Sequence, residues 1–122
     1  MSLEACYAAM GGDLEGVRGR LLTDDRIRKF VGIFLEDKSF ENLRTSLDEG
    51  NIAEAFRAAH TMKGISRDLG FTPLFEASSK LSDALRPGDD GLPAAPADVP
   101  ELMQQTEQAY QTTIDAITNL LK

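Results

Sequence analysis

The 122-residue sequence has no tryptophan, one cysteine and one histidine, and its basic residues are outnumbered. Each shortage closes off a class of chemistry. A lone cysteine forms no internal disulfide, which suits a reducing cytoplasm. Cys6 and His60 are too few for a zinc site, which takes three or four such ligands. Carboxylate-bridged metal centres in helical bundles need paired Glu-x-x-His motifs, and the residue three before His60 is Arg57. No metal and no cofactor is therefore expected on this chain. With 20 acidic against 13 basic side chains the net charge is -7, unsuited to gripping a phosphate backbone, so nucleic acid is not an expected partner. No apolar run approaches the roughly 18 residues of a membrane span, so no membrane insertion is expected. The N-terminus also lacks the basic and apolar segments of a secretory signal. A cytoplasmic location and a monomeric state are the expectations.

What is present is enough for one core. Hydrophobic residues make up 42% of the chain, consistent with a single domain over 1–122. Met1-Ser2-Leu3 has the look of a cloning remnant. Apolar residues recur in steps of three and four with almost no alternation, so helices are expected and strands are not. A short segment, Leu3 to Met10, ends at Gly11-Gly12, and Asp13 is placed to cap the next helix. From Asp13 to Leu22 the buried stripe is Leu14, Val17 and Leu21. From Asp24 to Glu36 it is Ile27, Phe30, Val31, Phe34 and Leu35. Ser39 to Glu49 carries Phe40, Leu43 and Leu47 before Gly50.

Asn51 to Glu54 has capping-box spacing and opens a helix running to Leu69, stopped by Gly70. Thr72-Pro73 starts the next, which ends near Arg86-Pro87. Residues 87–99 read as a flexible loop rich in Pro, Gly and Asp. A last helix starts from Asp98, with Glu101 in capping-box position, and carries one apolar stripe through Leu102, Thr106, Ala109, Tyr110, Thr113, Ile117 and Leu120. The economical packing is all-α: an antiparallel up-and-down four-helix bundle with a short N-terminal accessory helix.

On the Asn51 to Leu69 helix, Ile52, Ala55, Ala59, Met62, Ser66 and Leu69 converge on the core side. At 100 degrees per residue His60 lies roughly 120 degrees away from that centre, which predicts exposure. Its own strip holds Ala53 and Phe56 before it and Lys63, Gly64 and Arg67 after it. Gly64 costs the helix about 1 kcal/mol relative to alanine. Either it leaves room for a partner's backbone or a phosphoryl group, or it is a neutral surface choice or a means of tight helix packing. Arg57, His60, Lys63 and Arg67 together make a basic strip in an acidic chain, suited to stabilising a phosphoryl group on the imidazole. Phe56, Ala53, Met62 and either Ile27 or Phe30 read as core, or else as apolar docking area around His60.

Ala58-Ala59-His60-Thr61-Met62-Lys63-Gly64, followed by Leu69-Gly70-Phe71, resembles the signature of the histidine-containing phosphotransfer (HPt) domain, A-H-x-L-K-G followed shortly by L-G. Met62 replaces the usual Leu. The resemblance covers about Asp13 to Arg86 and, more loosely, the last helix. It implies a four-helix bundle that carries phosphoryl groups between receiver domains of two-component phosphorelays. By resemblance His60 is the phosphoacceptor, Lys63 stabilises the phosphoryl charge and Gly64 gives the receiver room. Ser82 stands where family members often carry a Gln that bonds near the imidazole, and Arg86 is an added surface candidate. The implied partners are receiver domains of response regulators or a hybrid sensor histidine kinase, with magnesium bound on the receiver. Two other readings compete. One is a helical adaptor that docks a receiver or kinase without phosphorylation. The other is the phosphoacceptor domain of a larger chemotaxis-type kinase, which requires an ATP-binding domain beyond this sequence.

Overall fold

A computed structural model describes all of residues 1–122. It consists of α1 (Leu3–Met10), α2 (Leu14–Leu21), α3 (Asp24–Phe34), α4 (Ser39–Asp48), α5 (Ile52–Asp68), α6 (Thr72–Leu85), a 3-10 turn (Pro96–Asp98) and α7 (Val99–Leu120), with no strand. Several starts are set by side chains. Asp13 accepts from the Gly16 N–H at 3.0 Å, Thr23 from Arg26 at 3.2 Å and Asn51 from Glu54 at 3.2 Å, each satisfying an N–H that the helix leaves free. The capping box at Asn51 is only half formed. The Glu54 carboxylate turns to Arg57 at 3.2 Å, and the Asn51 N–H donates instead to the Ser46 carbonyl at 2.8 Å, across the turn from α4.

Two expected starts differ. Phe71, one residue before Thr72, is the N-cap of α6, which places Pro73 in its first turn. Asp98 makes no side-chain cap to α7, because the 3-10 turn before it already holds Asp98 in a helical conformation. Residues 87–99 are also more organised than a flexible loop. Gly88 and Leu92 bond at 3.0 Å, Asp90 accepts from the Leu92 N–H at 2.9 Å, and the Ala95 N–H returns to Ala84 on α6 at 2.9 Å.

The bundle consists of α4 to α7. Short turns through Gly50 and Gly70 fold α4 to α6 back on one another, and α7 closes against α4. There Phe40 stacks on Tyr110 with centroids 4.2 Å apart, and Arg44 pairs with Glu107. The later α4 residue meets the earlier α7 residue, so these two helices run antiparallel. Buried side chains include Leu43, Ala55, Ala59, Met62, Leu74, Leu81, Leu85 and Ile117. Buried hydroxyls at Ser66, Ser78, Thr106 and Thr113 each bond the carbonyl four residues earlier, at 2.6 to 2.8 Å.

The N-terminal region is three short helices, the accessory helix α1 followed by α2 and α3, and it is built into the core. Leu3, Cys6, Tyr7 and Met10 are buried, and Ser2 caps α1. The region seals the C-terminal end of α5, whose last carbonyls have no partner within the helix. Arg20 donates to the carbonyls of Arg67 and Asp68 at 3.0 and 3.1 Å, Tyr7 to Leu69 at 2.7 Å, and the Asp13 N–H to Gly70 at 2.8 Å. Burial pushes the Tyr7 phenol well above its ordinary range. Gly70 takes φ 71°, and a side chain there would collide with Val17 and the Asp13 carbonyl. Arg18 links the three helices by pairing with Glu4 at 2.6 Å and Asp24 at 2.9 Å, and its hydrogen bonds lower the pKa of both carboxyls.

The apolar stripes of α2 and α3 are narrower than their spacing predicts. Val17 alone is buried on α2, while Leu14 and Leu21 are half-buried. On α3, Ile27, Val31 and Phe34 are buried, but Phe30 and Leu35 are exposed. These helices lie at the edge of the bundle and have neighbours on one side only.

Candidate functional site

His60 lies in the middle of α5, exposed, as its angle on the helix predicts. Of the predicted core side, Ala55, Ala59, Met62, Ser66 and Leu69 are buried and Ile52 is half-buried. One turn before His60, the half-buried Phe56 ring lies beside the imidazole, with centroids 6.0 Å apart and planes inclined by 29°. The Arg86 guanidinium, from the end of α6, sits over that same ring at 5.0 Å from its centroid. Arg86 and Phe56, 30 apart in sequence, thus meet across the seam between α5 and α6, an association that no helical period could reveal.

The basic strip carries less free charge than its composition suggests. Arg57 pairs with Glu54 at 3.2 Å, Arg67 with Asp68 at 3.3 Å and Arg86 with Asp83 at 3.7 Å. Lys63, half-buried and three residues beyond His60, has no carboxylate within ion-pair distance, so it remains free to meet an incoming anion. Ala53 is exposed on the same side. Around Gly64 the space is open: a Cβ built there meets no atom within 4 Å outside its own helix. Tight packing between helices is therefore not the reason for this glycine, which leaves close approach by an external group or a neutral surface position.

Ser82 is the site residue that the structure places differently. It is fully buried in α6, its hydroxyl has no hydrogen-bond partner, and it makes no bond to the imidazole. The bond near the imidazole that its position in the motif implies is therefore not made by Ser82, whose short side chain lies inside the bundle. Met62 and Ile27 are likewise core, not docking surface. Phe30 is 41% exposed and lines an apolar cleft of about 470 Å³ with Leu21, Ile33, Phe34, Ile65 and Leu69, edged by Glu36, Asp37 and Asp68. Ile33, 52% exposed, was not singled out in the sequence. The available signal was its position on α3, next to Phe30 and off the Ile27, Val31, Phe34 stripe.

No group of three or more His, Cys, Asp or Glu side chains is arranged to hold a metal ion. No helix is long and apolar enough to cross a membrane. Chemically, the site offers an accessible imidazole, one unpaired ammonium, paired guanidiniums within reach and open space over Gly64. A nucleophile beside a stabilising cation is what acceptance of a transferable anion requires.

The family model described as the Hpt domain matches residues 30–119. The match begins within α3 and takes in nearly all of α7, so it lies further along the chain than the motif spacing alone suggests. The sealing helices α1 and α2 fall outside it. No curated protein and no solved structure gives a significant match.

Proposed function

Because this chain belongs to the Hpt domain family, whose members act in histidine phosphotransfer in two-component signalling and engage receiver domains, we propose that it carries a phosphoryl group reversibly on His60 between receiver-domain aspartates. The supporting observation is that the chain's one histidine stands exposed at mid-helix, with unpaired Lys63 and unobstructed Gly64 on the same face. In the forward step a neutral imidazole nitrogen attacks the phosphorus of a receiver's aspartyl phosphate. The new N–P bond forms as the P–O bond to aspartate breaks, and the carboxylate leaves on the receiver. The reverse step on a second receiver returns the imidazole. Transfer of this kind passes through a loose in-line transition state, so placement and charge neutralisation dominate and no separate base is needed.

Lys63 supplies the standing positive charge, and Arg57 and Arg67 flank it. Phe56, Ala53 and the exposed α3 residues Phe30 and Ile33 offer apolar area to a docking receiver. Magnesium is carried by the receiver, and this chain acts as a monomeric cytoplasmic carrier without a cofactor of its own. The test is transfer of labelled phosphate from a panel of phosphorylated receiver domains to the wild type and to His60→Gln. Acid-labile, base-stable label on the wild type alone is the expected result. Label on the variant would remove His60 from the acceptor role, and binding of receivers without any transfer would favour a non-phosphorylated adaptor.

A further inference from the structure

We propose that Arg86 is a second cation of the phosphoryl site, parked on Phe56 while His60 is unmodified and drawn onto the phosphoryl oxygens once His60 carries them. The proposal rests on His60 being the acceptor. Its basis is the succession of guanidinium, phenyl ring and imidazole, with centroid spacings of 5.0 and 6.0 Å. Among the basic residues gathered here, Arg86 alone comes from beyond α5, and its guanidinium lies on the Phe56 ring that neighbours the imidazole. Its backbone is the C-cap of α6 with ψ 118°, so the chain leaves the helix at this residue.

What holds Arg86 at present is weak. The ion pair to Asp83 is long, at 3.7 Å, and the two side chains are 59% and 69% exposed. Contacts of this kind, and a cation over a solvent-facing ring, are among the least stabilising of charged interactions. A phosphoryl group near neutral pH carries close to two negative charges on three acceptor oxygens. A planar guanidinium can bridge two of these at once, which neither a lone carboxylate at this separation nor an aromatic face can match. The cation then lowers the energy of the phosphorylated ground state, and the group persists longer on the imidazole. Movement of the arm also uncovers the Phe56 ring, so the loaded and unloaded carriers present different surfaces.

The experiment uses potassium phosphoramidate as a small donor, which removes any dependence on a receiver. The imidazole nitrogen attacks phosphorus, the P–N bond of the reagent breaks and ammonia leaves. First-order loss of the phosphoryl group at neutral pH is followed in the full-length wild type, Arg86→Gln and Arg86→Lys, with circular dichroism confirming equal folding. The ¹⁵Nε signal of Arg86 is recorded before and after loading. The expected result is loss about threefold faster in Arg86→Gln, given the modest strength of exposed charge pairs, an intermediate rate in Arg86→Lys, and a shift of the Arg86 signal only on phosphorylation. Equal lifetimes in all three proteins, or an Arg86 signal indifferent to loading, would overturn the proposal. Failure of phosphoramidate to modify His60 in the wild type would instead overturn the acceptor assignment, and the role of Arg86 with it.

Discussion

Replacing Gly64 by alanine separates folding from function at one position. The residue lies in the interior of α5 one turn beyond His60, and an added Cβ meets nothing within 4 Å apart from its own helix. Glycine there costs the helix about 1 kcal/mol relative to alanine, through the backbone freedom that it loses on folding. With no clash to offset it, Gly64→Ala should stabilise the protein by about that amount, which for a domain of this size raises Tm by roughly 4 °C. In urea, the midpoint should rise by about 0.5 M with m unchanged. Transfer from a phosphorylated receiver should move the other way. A methyl group introduced where two surfaces meet costs about 1–3 kcal/mol when the contact cannot relax, so a rate loss on the order of tenfold is expected at subsaturating receiver. Labelling by phosphoramidate, which is small enough to pass the methyl, should be unchanged. A variant no more stable than the wild type would refute the open-space argument. A variant more stable and equally fast with receivers would show that Gly64 is a neutral surface choice and that nothing approaches closely there.

Three further outcomes follow from the same geometry. Lys63→Ala should leave the urea midpoint nearly unchanged, since Lys63 pairs with no carboxylate, but should slow label transfer to His60; an unaltered rate would show that its charge plays no part. Gly70→Ala should destabilise the fold by more than about 2 kcal/mol, because φ 71° is strained for alanine and its Cβ would run into Val17 and the Asp13 carbonyl. Wild-type stability in thermal unfolding would contradict that packing. Stability should also fall at alkaline pH. Burial raises the Cys6 and Tyr7 groups above their ordinary values of 9.0 and 10.0, so the unfolded chain releases these protons first. Their contribution is whole below those ordinary values and is lost as pH rises beyond them, at up to about 1.4 kcal/mol per pH unit per group. Urea midpoints measured from about pH 8 to 11 should show the decline, and Tyr7→Phe should flatten it; a midpoint constant across that range would be incompatible with two buried protonated groups.

Much of the architecture was legible because it is local. Asp13, Asn51 and Gly70 announce helix ends through bonds and dihedrals that involve a few adjacent residues. The exposure of His60 follows from its angle relative to Ala55, Ala59 and Met62 on one helix. Residues 36–121 depart from this reading at two helix starts: Phe71 rather than Thr72 caps α6, and at Asp98 a 3-10 turn displaced the capping box.

Pairing between elements was not legible. Periodicity assigns a face to each helix but does not say how much of that face a neighbour covers. Phe30 and Leu35 therefore read as core and stand exposed. Ser82 illustrates the converse: alignment of a motif placed it beside the imidazole, and the register of α6 turned its hydroxyl inward without a partner. Likewise the basic residues around His60 look equivalent in sequence, yet contacts with Glu54, Asp68 and Asp83 leave Lys63 as the unpaired one.

The amino-acid order by itself determined an all-helical chain, its breaks and the exposed histidine face, because caps, turns and amphipathic stripes are set within a few residues. Only the tertiary structure decided that α1 and α2 seal the end of α5 through Arg20 and Tyr7, and that Arg86 reaches Phe56 beside His60. Such contacts join residues far apart in the chain. They depend on how helices slide and rotate against one another as they bury their apolar faces, a choice made by the packing of the whole core.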